Sequence, residues 1–309
     1  MWRFLFISLC ALAPAVSAAN ADESPLRVMA SIKPLQLIAA AITDGVSEPE
    51  LLVPVGASPH GFTLRPSDLA RLSNADVVFW MGPAMEPYLQ KLVTNLPDTV
   101  AVQQFLDSAA SEASGHDAVD AHGHEHSHEH SHEHGEEDLH LWLDPSEGRL
   151  IAQRMARVLG ERDPANGERY RENLQRFEQG LATVIEANRA RLQARVVRSL
   201  FVFHDAYGGL ESFYGIEIAG AITLSPEMQP GTRHLLELRE RLERAGSSCL
   251  FSEPQFQSAM VVRLLKGLDV ELGELDPLAG NIPPSADGYL LHQRQMIEAI
   301  ADCTRVTTQ

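Results

Sequence analysis

From Pro164 to Arg195 the chain reads "PANGERYRENLQRFEQGLATVIEANRARLQAR", with no proline after the first. These about 32 residues would make a helix of ~48 Å at 1.5 Å per residue. A helix that long is uncommon inside one small domain. A protruding coiled-coil arm would accommodate it, but the flanking sequence favours a rigid strut between two lobes. Upstream, short apolar runs alternate with helical periods: "RVMASI", a helix over Pro34–Thr43, "ELLVPV", a helix from Pro66, "ADVVFWMG", a helix around "AMEPYLQKLVTNL", then "TVAVQQF". The alternation resumes downstream with "SLFVF", a helix near "AYGGLESFYG", "EIAGAIT", a helix over Pro230–Ala245, "SCLFS", a helix after Gln255, "VELGEL" and a last helix from Gly288. Strand and helix in turn imply a parallel sheet covered by helices. The expected fold class is α/β, with two lobes (19–163 and 196–309), each a parallel sheet flanked by helices, joined by one long rigid helix (164–195).

The two ends and the middle of the first lobe depart from this rhythm. Residues 1–18 carry one early charge, Arg3, then an apolar run too short to span a bilayer, then small residues, which is the pattern of a cleavable secretory signal. Leu9 precedes Cys10 where lipoprotein processing wants a small residue, so no acyl anchor is expected there. No other stretch is long and apolar enough for direct membrane insertion. Export also bears on the cysteines. Only Cys249 and Cys303 remain after cleavage, and in an oxidising compartment such a pair is expected to bridge, with two buried thiols as the alternative. A bridge would close a loop of about 55 residues, worth ~4 kcal/mol in the chain-entropy account. The segment 108–138 is rich in Ser, Gly, Glu, Asp and His and has almost no large apolar residue. It is expected to be a disordered insertion in the first lobe. The net charge of −17 repels phosphate backbones and anionic lipid, which excludes a nucleic-acid role and favours cationic ligands.

Parallel sheets bind ligands beyond the carboxyl ends of their strands. His60 lies a short loop after "ELLVPV", His204 directly follows "SLFVF", and Asp276 directly follows "VELGEL", while His140 precedes "LWLDP". Singly, each has an ordinary explanation as a packing histidine or a turn aspartate. Together they form a candidate shell of three imidazoles and one carboxylate drawn from both lobes, a donor set suited to Zn²⁺. His116, His122, His124, His126, His128, His130, His132 and His134 read as a separate, mobile chelator that could capture metal at the cleft mouth or sense its excess. The alternative is a solvated loop with incidental metal affinity. His234 and His292, flanked by charge in helical segments, are expected to face solvent. Trp80 and Trp142 read as packing or cleft-wall residues. Glu253, and similarly Asp205, could orient a metal-bound histidine by hydrogen bonding.

"GASPHGFTLRPSDLARLSNADVVFWMGPAMEPYLQK", "LHLWLDP", "FVFHDAYGGLE", "PEMQPG", "EPQF" and "LDPLAGNI" occur in order between about residue 27 and Cys303, with the histidine-rich insertion between the first two histidine motifs. In these motifs the chain resembles the ZnuA-type periplasmic zinc-binding proteins of ABC transporters. The resemblance implies two α/β lobes joined by a long helix, with zinc as the transported ligand held in the cleft. Its three zinc histidines fall on His60, His140 and His204, and its second-lobe aspartate on Asp276. It implies a monomer in the periplasm whose partners are a membrane permease and its cytoplasmic ATPase. In some members a glutamate ligand precedes the first histidine. Here that position is Pro59, which leaves the fourth place to Asp276, to water or to a residue of the insertion. Manganese-selective relatives tend to carry a carboxylate where His204 stands, so the imidazole favours zinc, with manganese or another divalent metal as the alternative cargo. A zinc hydrolase is the alternative from another class. The sequence has no HExxH pair, nucleophile elbow or Gly-rich phosphate loop, and no enzymatic activity is expected.

Overall fold

The computed structural model describes residues 24–106, 138–193, 198–223, 230–255 and 264–303. The leader 1–18, the eight histidines of the insertion and the helix expected after Gln255 lie outside these residues. Two four-stranded parallel sheets organise the chain. The first contains β1 (Val28–Ala30), β2 (Glu50–Leu51), β3 (Val77–Trp80) and β4 (Ala101–Gln104) in the order β2-β1-β3-β4. The second contains β5 (Ser199–His204), β6 (Ile218–Thr223), β7 (Ser248–Ser252) and β8 (Val270–Glu274) in the order β6-β5-β7-β8. Both lobes share one topology, and in each the strand order reverses beside the first strand, where such sheets place their ligands. β3 is buried at all four positions, as expected of a parallel strand covered on both faces.

Helices α1 (Lys33–Ile42), α2 (Pro66–Asn74) and α3 (Pro87–Val93) complete the first lobe's alternation, and α6 (Gly208–Tyr214) and α7 (Thr232–Ala245) belong to the second. All ten residues of α1 are buried, because it is apolar except for Lys33 and Gln36, which bond to each other, and packs against β1, α4 (Pro145–Arg162), α5 (Gly167–Gln193) and α8 (Gly288–Cys303). Asp144 caps α4 by accepting from the Ser146 amide. The long helix starts later than its proline suggests. Asp163 caps a 3₁₀ turn over Pro164–Asn166, and α5 then runs 27 residues, about 40 Å. The amide of Asn173 near its start donates to the carbonyls of Ile42 and Asp44 in the first lobe. That of Asn188, near its end, donates to the Gln293 carbonyl and the Tyr214 hydroxyl. The strut is thus anchored to both sides. Cys249 of β7 and Cys303 at the end of α8 form the disulfide. No helix among the described residues is long and apolar enough to cross a membrane.

α8 lies between α1, α5 and β8, so few of its positions reach water. This corrects the expectation for His292. It is buried, and its Nε2–H donates to the Asp276 carbonyl at 2.9 Å. Burial lowers its pKa and favours the neutral ring. His234 is likewise half-buried, donating to the Ala221 carbonyl of β6.

At the carboxyl ends of β1 and β3, the buried Glu86 carboxylate accepts from the Ser31 hydroxyl (2.9 Å), the Met81 amide (2.8 Å) and the Tyr88 hydroxyl (3.2 Å). Burial nevertheless raises its pKa from 4.5 to about 7. The folded chain therefore holds this proton more tightly than the unfolded chain does. The resulting stabilisation is complete below about pH 4.5 and is lost as pH rises through about 7, a change on the order of 3 kcal/mol. Urea unfolding at pH 5 and pH 8 is expected to show a shallower pH dependence for Glu86→Gln than for the parent. Identical pH dependence would contradict this reading.

Candidate metal centre

Three segments bring histidines to the cleft. His60 sits in the proline-bounded loop after β2 and is half-buried. His140 precedes a 3₁₀ turn over Leu141–Leu143, is 6% exposed, and begins that turn by accepting from the Leu143 amide. His204 is the last residue of β5 and is 2% exposed. The Nε2 atoms of His60 and His140 are 3.3 Å apart, and those of His140 and His204 are 3.4 Å apart. One donor atom from each ring fits within 4.8 Å of the other two. Two nitrogens held tetrahedrally at ~2.0–2.1 Å from a zinc ion would be about 3.3–3.4 Å apart, so these spacings match the edges of a zinc site.

The carboxylates behind the rings fix which nitrogens face inward. His204 Nδ1 is 2.5 Å from Glu253 Oε1, which also accepts from the Tyr207 hydroxyl at 3.2 Å. His140 Nδ1 is 3.3 Å from Asp138 Oδ1. An Nδ1–H donating to a carboxylate leaves the neutral ring's lone pair on Nε2. Burial, the largest influence, lowers the pKa of His140 and favours its neutral form despite the nearby Asp138. Burial alone would raise the Asp138 carboxyl, but hydrogen bonds from His140 and Gly209 outweigh it and hold the group below the usual carboxylate range. Two buried Nε2 atoms thus face each other across 3.4 Å, and with each Nδ1–H donated to its carboxylate both would offer a lone pair to a cation between them.

Asp276 is oriented differently. Its Oδ1 accepts from the Gln255 side chain (2.8 Å) and the Leu278 amide (3.1 Å), and its Oδ2 from the Gly280 amide (2.6 Å). Its carboxylate closes the turn around Pro277, as aspartates before proline often do. Among the described residues, the cluster of potential ligands comprises His60, His140 and His204, without Asp276. Trp142 is fully buried against His140, with ring centroids 5.3 Å apart, and donates from Nε1 to the Pro277 carbonyl. Asp205 is exposed, whereas Glu253 is buried on His204. Sequence reasoning overlooked Asp138, which stands at the edge of the acidic insertion. Its position two residues before a candidate ligand was the available signal.

The family model described as zinc-uptake complex component A, periplasmic (ZnuA), matches residues 28–303. The chain belongs to the ZnuA family. The family's residues span both sheets, the long helix and all three cleft histidines. The ZnuA protein of Yersinia pestis, named a high-affinity zinc uptake system protein, is 36% identical, with 95% of this chain and 96% of that protein covered. The Haemophilus ducreyi ZnuA protein of the same description is 37% identical, with 93% of each covered. Solved structures share the fold. The AdcAII protein of Streptococcus pneumoniae superposes with a TM-score of 0.73 at 22% identity, covering 91% of this chain and 99% of its own. The laminin-binding protein of Streptococcus agalactiae gives 0.73 at 19%, covering 91% and 100%.

Proposed function

We propose that this chain is the periplasmic zinc-binding component of an ABC-type uptake system, holding one Zn²⁺ on His60, His140 and His204 and delivering it to a membrane permease coupled to a cytoplasmic ATPase. The observation that carries the reading is the convergence of three imidazoles from three segments, with adjacent Nε2 atoms at zinc-like spacings of 3.3 and 3.4 Å. The curated relatives' description as zinc uptake proteins supports the same cargo. Three histidine nitrogens are a softer donor set than the oxygen-rich shells suited to manganese. The fourth position goes to water or to Asp276, whose carboxylate lies outside the histidine cluster in this structure and would have to move toward it to bind. In this reading the leader is cleaved, the mature protein works as a monomer and without catalysis, and the histidine-rich insertion is a second, weaker chelator.

Two measurements test this. Cells lacking the chain should grow poorly under zinc chelation and recover with the parent chain, but not with one in which all three cleft histidines are alanine. Normal growth of the deletion strain would argue against uptake. Excising residues 116–137 should reduce the number of zinc ions bound and leave one tight site; loss of the tight site would mean that the insertion supplies a ligand.

A further inference from the structure

The two carboxylates behind the cleft histidines are not equivalent. Glu253 follows β7, the strand beside β5, so it and His204 belong to one sheet and hold their geometry within one lobe. Asp138 divides its oxygens between two sides of the cleft. Oδ1 takes the backbone amide of His140 (2.9 Å) and lies 3.3 Å from its Nδ1. Oδ2 accepts from the Gly209 amide of α6 at 2.8 Å. That amide lies in the first turn of α6 and has no partner within its helix, so the contact satisfies a donor of one lobe with an acceptor from the other side. Two glycines permit the approach. A Cβ on Gly208 would lie 3.2 Å from Asp138 Oδ2, and one on Gly209 would lie 3.1 Å from Asp144 Cβ.

Building on the zinc-site reading above, we infer that Asp138 is a positioning residue that makes the aim of His140 conditional on the docking of α6. While α6 is docked, the Gly209 bond fixes the carboxylate, which orients the His140 ring. When α6 moves away from this contact, that bond breaks and the carboxylate keeps only its bond from the His140 amide, about which it can turn. His140 then loses its orientation, whereas His204 keeps Glu253. Zinc release would begin at His140.

Asp138→Asn preserves shape but cannot accept from both the His140 ring and the Gly209 amide. Gly208→Ala retains the carboxylate and crowds it from the α6 side, and alanine is a better helix former than glycine. Zinc release from the full chain into excess chelator is followed by stopped flow, with the slowest phase reporting the tight site. The tautomer of His140 in the metal-free chain is read from imidazole ¹⁵N shifts, assigned by their loss in His140→Ala. The expected result for Asp138→Asn is release roughly 10–100-fold faster, with the His140 proton redistributed between its nitrogens and His204 unchanged. Gly208→Ala should speed release less, and the double variant should be no faster than Asp138→Asn alone. Parent-like release with an unchanged His140 tautomer would overturn the inference, as would fully additive effects of the two substitutions. Absence of tight zinc from the parent chain would instead overturn the site reading itself.

Discussion

Replacing His140 with alanine is expected to weaken the tight zinc site on the order of a hundred- to a thousandfold, while leaving the fold intact. Apparent zinc binding energies of about 10–16 kcal/mol in four-ligand structural sites imply roughly 2.5–4 kcal/mol per ligand, and each 1.4 kcal/mol is a factor of ten. His140 is the central ring of the three, with its Nε2 3.3 Å from that of His60 and 3.4 Å from that of His204. Its removal opens the middle of the cluster. His204→Ala should have a comparable effect. Asp276→Ala should cost much less, because that carboxylate lies outside the cluster formed by the three histidines. Competition against a chelator of known zinc affinity, at a pH where the imidazoles are neutral, separates these outcomes. Equal losses for Asp276→Ala and His140→Ala would make the carboxylate a full ligand.

The second large effect concerns the joint between the lobes. Gly148 of α4 faces Tyr289 of α8, and a Cβ there would lie 1.9 Å from the tyrosine oxygen and 2.5 Å from Cζ. The ring cannot yield without cost. It is fully buried, and its hydroxyl donates to the Trp142 carbonyl at 2.8 Å while accepting from Gln293 at 3.0 Å. Gly148→Ala must displace it and break this network two residues from His140. Overpacking of about 1–3 kcal/mol plus a disrupted buried hydrogen bond of similar size gives an expected loss of roughly 3–5 kcal/mol. That is a large share of the roughly 5–15 kcal/mol that holds a typical protein folded. Urea unfolding reads it directly, and Tyr289→Phe in the same chain should recover part of the loss by removing the nearest atom. A parent-like midpoint for Gly148→Ala would mean that α4 and α8 do not meet as described.

How much of this was legible in the sequence depended on whether a feature is local. Parallel strands buried on both faces leave continuous apolar runs, so "VVFW" and "SLFVF" identified β3 and β5 unaided. His60 and His204 stood out because strand ends and the loops after them are where polar residues converge. His140 stood out through its motif and the family resemblance. The orientation of Asp276 was not visible, because its partners are backbone amides that become available only when the Pro277 turn forms. His292 misled for a related reason. Its charged neighbours suggest a solvent-facing helix, but α8 is enclosed on several sides by elements distant in sequence. Asp138 was read as part of an acidic tract, since nothing local indicates that its second oxygen reaches Gly209. Glu86 escaped notice because its burial arises where β1 and β3 meet.

The most direct measurement is anomalous diffraction at the zinc edge from crystals of the zinc-loaded chain. One strong peak within about 2.0–2.1 Å of the Nε2 atoms of His60, His140 and His204 is the expected result. A peak elsewhere, with those three nitrogens carrying no metal between them, would contradict the account.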